Sequence, residues 1–151
     1  GLAYANGPLS VDGMYHVIQN PAAGADDQTE WYLSAGYNLG FATVMASYQE
    51  AEDIIGKTGG FQNMEAWQVG GVIPVGAAGN VHIAYGQMEY DTASGGEVDT
   101  WGIAYTHGLS KRTTAYVGYN SVGNDANTSA GFGDVAGEDA DLFVVGVRHA
   151  F

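Results

Sequence analysis

The sequence predicts an all-β fold: a transmembrane antiparallel up-and-down β-barrel. Three observations carry the prediction. Runs of alternating apolar and polar residues recur along the whole chain, and a period of two is the signature of a strand with two unlike faces. The connections between runs alternate between short and long. The large aromatic residues collect at the ends of the runs rather than in their middles. A barrel strand crosses the hydrocarbon layer with about ten residues of which every second is apolar. A crossing helix needs about 20 predominantly apolar residues in a row, and none of these 151 residues belongs to such a run.

Composition narrows the field further. Gly 24 and Tyr 10 are high and charged residues are only 14%, against about a quarter in ordinary soluble domains. Four Lys+Arg against 17 Asp+Glu leave a net charge of -13. That excludes nucleic acid as a partner, because no basic surface is available to neutralise phosphates. It also excludes attachment to anionic lipid through a basic patch. Cysteine is absent, so disulfides, thiol catalysis and Cys-based metal sites are excluded. The opening Gly1-Leu2-Ala3-Tyr4 has neither the charged start nor the apolar core of a signal peptide.

The elements follow in order. The chain opens in strand at Leu2-Ala3-Tyr4-Ala5-Asn6, giving a first run over about 1–7 that turns at Gly7-Pro8. The run 9–18 carries Asp12 and His16 on its polar parity, and 29–37 sets Leu33, Ala35 and Tyr37 on the apolar one. After Asn38-Leu39-Gly40, the run 41–50 places Ala42, Val44, Ala46 and Tyr48 on one face. Trp67, Val69, Gly71 and Ile73 define 63–74, and Val81, Ile83 and Tyr85 define 80–90 beyond a turn at 75–79. Trp101, Ile103 and Tyr105 mark 98–107, and Ala115, Val117 and Tyr119 mark 113–121 beyond a turn at 108–112. The last run, 140–151, puts Phe143, Val145, Val147, His149 and Phe151 on one face and Arg148 on the other. Gly, Asn and Pro in the short turns supply the backbone angles that hairpins need. The long connections 19–28, 51–62, 91–97 and 122–139 are rich in Gly, Asp, Asn and Glu.

Aromatic placement decides between a membrane and a soluble sheet. Trp31, Trp67 and Trp101 stand near the starts of strands that follow long loops, and Tyr48 and Tyr119 near the ends of strands that lead into them. Tyr37, Phe41, Tyr105 and Phe151 mark the short-turn rim. Two aromatic girdles bracketing a band of Val, Ile, Ala and Leu are what a bilayer asks for, whereas a soluble core would bury its largest side chains centrally. With short turns on the periplasmic side, the final strand runs down to that side. Nine strands is an odd number, and single-chain bacterial barrels are even. The expectation is therefore the C-terminal portion of a larger barrel, with a first strand outside the sheet (leaving eight) as the alternative.

Several segments resemble the trimeric general porins of Gram-negative outer membranes, especially the β-proteobacterial and neisserial type. They are Ala5-Asn6-Gly7-Pro8-Leu9-Ser10-Val11, Tyr37-Asn38-Leu39-Gly40, the turn Leu109-Ser110-Lys111-Arg112-Thr113 with Thr114-Ala115-Tyr116, and the ending Gly146-Val147-Arg148-His149-Ala150-Phe151. The resemblance implies a sixteen-stranded barrel of which these are the last nine strands. It also implies a homotrimer in outer-membrane lipid and lipopolysaccharide, and a water-filled channel for small hydrophilic solutes and ions. Phe151 would be the signal read by the barrel-assembly machinery. The family's constriction loop has no counterpart in these residues. Arg148 is the one basic residue on the inward parity, which sets this half apart from the anion preference common in that branch.

On this reading Asp12, His16, Glu30, Gln49, Glu65, Gln68, His82, Thr100, Thr114, Asn120 and Arg148 line the lumen, with Arg148 also a candidate partner for Glu30. The bland equivalent is the solvated face of an ordinary sheet. The girdle residues are Trp31, Tyr37, Tyr48, Trp67, Trp101, Tyr105, Tyr119 and Phe151. Loop carboxylates (Asp26, Asp27, Glu50, Glu52, Asp53, Asp91, Glu97, Asp99, Asp125, Asp134, Glu138 and Asp139) form an acidic rim. Among them Asp134, Glu138 and Asp139 are candidates for sharing Ca²⁺ or Mg²⁺ with lipid phosphates, since hard cations take oxygen ligands. Asp125 opens the one-three-five spacing of a calcium loop, but Ala130 and Ala136 stand where that loop needs Gly and Glu. No motif points to an enzyme, and His16, His82, His107 and His149 lack metal-ligand spacing. Two other classes share the alternation: a small filled outer-membrane barrel acting as anchor or adhesin, and a soluble acidic Ca-binding β-domain.

Overall fold

The computed structural model of the chain describes residues 1–58, 61–92, 96–130 and 135–151. Nine strands follow one another: β1 (Leu2–Asn6), β2 (Leu9–Ile18), β3 (Gln28–Asn38), β4 (Thr43–Glu52), β5 (Met64–Val75), β6 (Gly79–Tyr90), β7 (Glu97–Gly108), β8 (Thr113–Asn124) and β9 (Ala140–His149). They form one antiparallel sheet in sequence order, with β1 and β9 at its two edges. The first segment is a strand of this sheet, paired with β2 from Leu2↔Gly13 to Asn6↔Leu9. The alternative that leaves it outside is thereby set aside.

Each expected run forms a strand, and the boundaries move for local reasons. β4 begins at Thr43 rather than 41, because Leu39 N–H donates to Ala42 O at 2.8 Å and Gly40 takes a φ of 88° to close the turn. β8 continues to Asn124 because its ladder with β7 holds as far as Val98↔Asn124. The β9 ladder stops at His149, although Ala150 N–H still donates to Arg112 O at 2.9 Å. Glu50, Glu52, Glu97 and Asp99, read from sequence as loop residues, lie in the ends of β4 and β7.

β5 through β8 are 12 residues each. At about 3.3 Å per residue and a tilt near 40°, such strands rise about 30 Å, enough to span the apolar band of an outer membrane. Among the described residues no second layer covers the sheet. Among the described residues the buried apolar ones are only Ala42, Ala51 and Val98, and no large side chain is fully buried. Phe143, Val145 and Val147 are instead 68%, 72% and 62% exposed. A soluble domain does not leave a continuous apolar face of this kind uncovered; hydrocarbon is the solvent that removes the cost. At one strand glycine an aromatic ring crosses over the space of the missing side chain. A Cβ on Gly146 would lie 2.6 Å from Cζ of Tyr116 on β8, so the tyrosine occupies the space the glycine leaves.

Candidate functional site

The pairing register sorts the side chains into two faces. Asp12 lies opposite Ser34, Ser34 opposite Ser47, Ser47 opposite Gln68, Gln68 opposite Gly86, and Gly86 opposite Thr100. Neighbouring rows on the same face run from Ser10 through Gly36, Met45, Gly70, Ala84 and Gly102 to Asn120, and from Met14 through Tyr32, Gln49, Ala66 and Met88 to Val98. Residues of this face from β2 through β9 line a hollow of about 790 Å³, including Asp12, Gln68, His82, Thr100 and Asn120. The sheet therefore curls toward this side. Small residues recur along it because a concave surface leaves least room per residue.

Asp12, His16, Glu30, Gln49, Gln68, His82, Thr100, Thr114, Asn120 and Arg148 all fall on this inner parity. Hydrogen bonds tie several together. The Asp12 carboxylate accepts from Tyr32 Oη and from Ser34 Oγ. His82 Nε2 lies 3.0 Å from Thr106 Oγ1, and Thr100 Oγ1 donates to Asn120 Oδ1 at 3.3 Å. Gln28 Nε2 donates to Glu30 Oε1 at 2.5 Å, and His16 Nε2 lies 3.6 Å from Glu30 Oε2. Tyr32 is absent from the sequence-derived inward set. Its position between Glu30 and Ser34 gives its parity, which is the signal that could have found it.

Two expectations are corrected. Glu65 lies opposite Glu50 and on the parity of Trp67, so it belongs to the outer face, where it accepts a hydrogen bond from Tyr48 Oη at 2.9 Å. It stands two positions before Trp67, and two positions along a strand return to the same face. Arg148 does not pair with Glu30. It stands opposite Thr114 at the short-turn end of β9, while Glu30 is near the long-loop end of β3 beside His16.

The outer face carries a belt that only the register reveals. Tyr15 lies opposite Trp31, Tyr48 opposite Trp67, Tyr85 opposite Trp101, and Tyr119 opposite Phe143. Diagonal contacts join these pairs: Trp31–Tyr48 at 5.1 Å, Trp67–Tyr85 at 5.5 Å and Trp101–Tyr119 at 5.3 Å between ring centroids. The belt thus runs unbroken from β2 to β9 near the long-loop rim. Its polar tips are satisfied there: Trp31 Nε1 donates to Glu50 at 3.0 Å, Trp67 Nε1 to Gln87 at 3.2 Å, and Tyr119 Oη to Asp141 at 2.8 Å. An apolar body with a wet tip is the chemistry of the membrane interface. Tyr37 and Tyr105 face outward near the short-turn rim, and Phe151 is fully exposed beyond β9.

Of the candidate cation ligands, Asp139 accepts from Asn124 N–H at 3.1 Å, the backbone oxygen of Glu138 accepts from Asn124 Nδ2 at 2.8 Å, and Asp134 lies outside the described residues. Among the described residues no three His, Asp or Glu side chains converge as metal ligands.

An antiparallel meander with a hydrocarbon-facing convex side, aromatic belts and a polar concave side is a membrane β-barrel of the outer-membrane kind. The chain belongs to the Gram-negative porin family, whose pattern its residues 1–127 match. Among solved structures it is similar to an anion-selective porin from Comamonas acidovorans, with 29% identity and a TM-score of 0.83 over 99% of this chain and 47% of that one. It also shares its fold with OmpT, an outer-membrane protein of Vibrio cholerae folded in vitro and solved in trimer form, with 15% identity and a TM-score of 0.64 over 97% of this chain and 53% of that one. The chain spans about half the length of these two structures. No curated protein matches it. Its place is the outer membrane.

Proposed function

We propose that this chain forms part of the wall of a porin that passes small hydrophilic solutes and ions by passive diffusion. The observation that carries the reading is the inner face. Hydroxyl, amide, carboxylate and imidazole groups stand on it among glycines, alanines and a few methionines and valines, and its hollow is open rather than filled by large side chains. Hydroxyl, amide and imidazole groups at Thr100, Asn120, Gln68 and His82 would hold water against the wall, while Val69, Ile83 and Val145 on the other face meet lipid. A filled barrel serving as an anchor would need bulk where Gly70, Ala84, Gly86, Gly102 and Gly118 stand. A soluble domain would need a cover for the outer face.

The reading extends to a homotrimer of sixteen-stranded barrels, to periplasmic short turns, and to Phe151 as the feature engaged by the barrel-assembly machinery. The carboxylates of the long-loop rim would meet lipopolysaccharide phosphates through shared Ca²⁺ or Mg²⁺. Planar-bilayer recordings of the full-length protein test the central claim: stepwise ohmic conductance is expected, and its absence at every voltage and salt concentration would sink the pore reading. Deleting Phe151 is expected to lower the amount of folded, heat-modifiable protein in the outer membrane. Unchanged insertion would remove the assembly role.

A further inference from the structure

We propose that Asp12 biases the ion preference of this pore toward cations, so that the wall built by these strands opposes anion passage. The proposal rests on the porin reading above. Asp12 is the one formally charged side chain in the three inward rows that cross the sheet from β2 to β8. Tyr32 and Ser34 donate their hydroxyls to its carboxylate. Hydroxyl dipoles hold the group in place against the concave wall and leave its charge uncancelled.

The other formal charges of the inner face stand elsewhere. Glu30 has His16 at 3.6 Å near the long-loop end, and Arg148 lies at the short-turn end opposite Thr114. Between those ends the wall around Asp12 offers glycine, alanine, methionine and neutral polar groups, and among the described residues no inward Lys or Arg stands beside it. A charge on a low-dielectric wall projects its field into the adjoining water column. With a Debye length of about 10 Å at 0.1 M salt, ions passing through a lumen of porin size feel that field. At 1 M the length falls to about 3 Å and they do not. In this respect the chain departs from what the name of its Comamonas neighbour says of that protein.

The test is the reversal potential of the full-length protein in planar bilayers under a KCl gradient. Asp12→Asn is expected to keep the conductance steps and to move the potassium-to-chloride permeability ratio toward chloride, by about twofold near 0.1 M salt and less near 1 M. Asp12→Glu should stay close to wild type. The chain contains no cysteine, so Asp12→Cys supplies a second route that does not depend on D12N folding well. A cationic methanethiosulfonate reagent added from the aqueous phase should move the ratio toward chloride, and an anionic one should return it toward potassium. Open channels with the same reversal potential in wild type and D12N, and no response of D12C to either reagent, would overturn the role of Asp12 and leave the pore standing. Failure of the wild-type protein to conduct would overturn both.

Discussion

At the scale of single residues, two places in the sheet are fitted by pairs in which a tyrosine covers a glycine. Tyr116 lies over Gly146 on the inner face and Tyr105 over Gly79 on the outer. The backbone there needs the missing Cβ for space, since Gly146 has no left-handed φ to explain it. Gly146→Ala would set a methyl 2.5 Å from Tyr116 Oη, and overpacking of this kind costs about 1–3 kcal/mol. A lower unfolding temperature in detergent is expected, recovered in the double variant Gly146→Ala with Tyr116→Leu. An additive double variant would show that ring and glycine are not coupled. Neither pair is visible in the sequence, because the partners are 26 or more positions apart and meet only through the register.

At the scale of the strand, adjacent residues face different solvents. On β5, Val69 is on the outer face between Trp67 and Gly71, opposite Ala46 and Tyr85, while Gln68 faces the hollow opposite Ser47 and Gly86. An arginine at mid-membrane on the lipid side of a barrel costs about 2–4 kcal/mol; on the lumen side it stays hydrated. Val69→Arg is therefore expected to depress folding stability in lipid vesicles by about that amount, with Gln68→Arg close to wild type. Equal losses at the two positions would contradict the assignment of faces. This alternation was fully legible from the residue pattern, and Glu65 shows where it slips. Near a strand end, its polar chemistry suggests an inward position, although its spacing from Trp67 places it outward.

At the scale of the whole molecule, charge and hydrogen bonding are both lopsided. Three of the four basic residues, Lys111, Arg112 and Arg148, stand at the short-turn side and Lys57 in a long connection, whereas the carboxylates other than Asp12 lie in or next to the long connections. The outer sides of β1 and β9 pair with no strand among the described residues, and unpaired backbone N–H and C=O groups are costly in hydrocarbon. Residues 1–151 produced alone and refolded in detergent are expected to give aggregates without heat-modifiable migration. Adding the strands that complete a barrel should restore a folded band. A monomeric, protease-resistant product from these residues alone would show that the two edges can satisfy each other.

The amino-acid sequence by itself determined the strands, their order, their two faces and the aromatic rims, because each is a local consequence of period-two alternation and of turn residues. Its resemblance to porins rested on short turn and terminal motifs, and the chain proved to belong to that family. Only the tertiary structure decided which distant residues meet. It joined Tyr15, Trp31, Tyr48, Trp67, Tyr85, Trp101, Tyr119 and Phe143 into one belt, separated Arg148 from Glu30, and set Asp12 beside Tyr32 and Ser34 as the one formal charge in the middle rows of the inner wall. Cross-strand register and sheet curvature are set by hydrogen bonds between segments far apart in the chain, and no single strand contains that information.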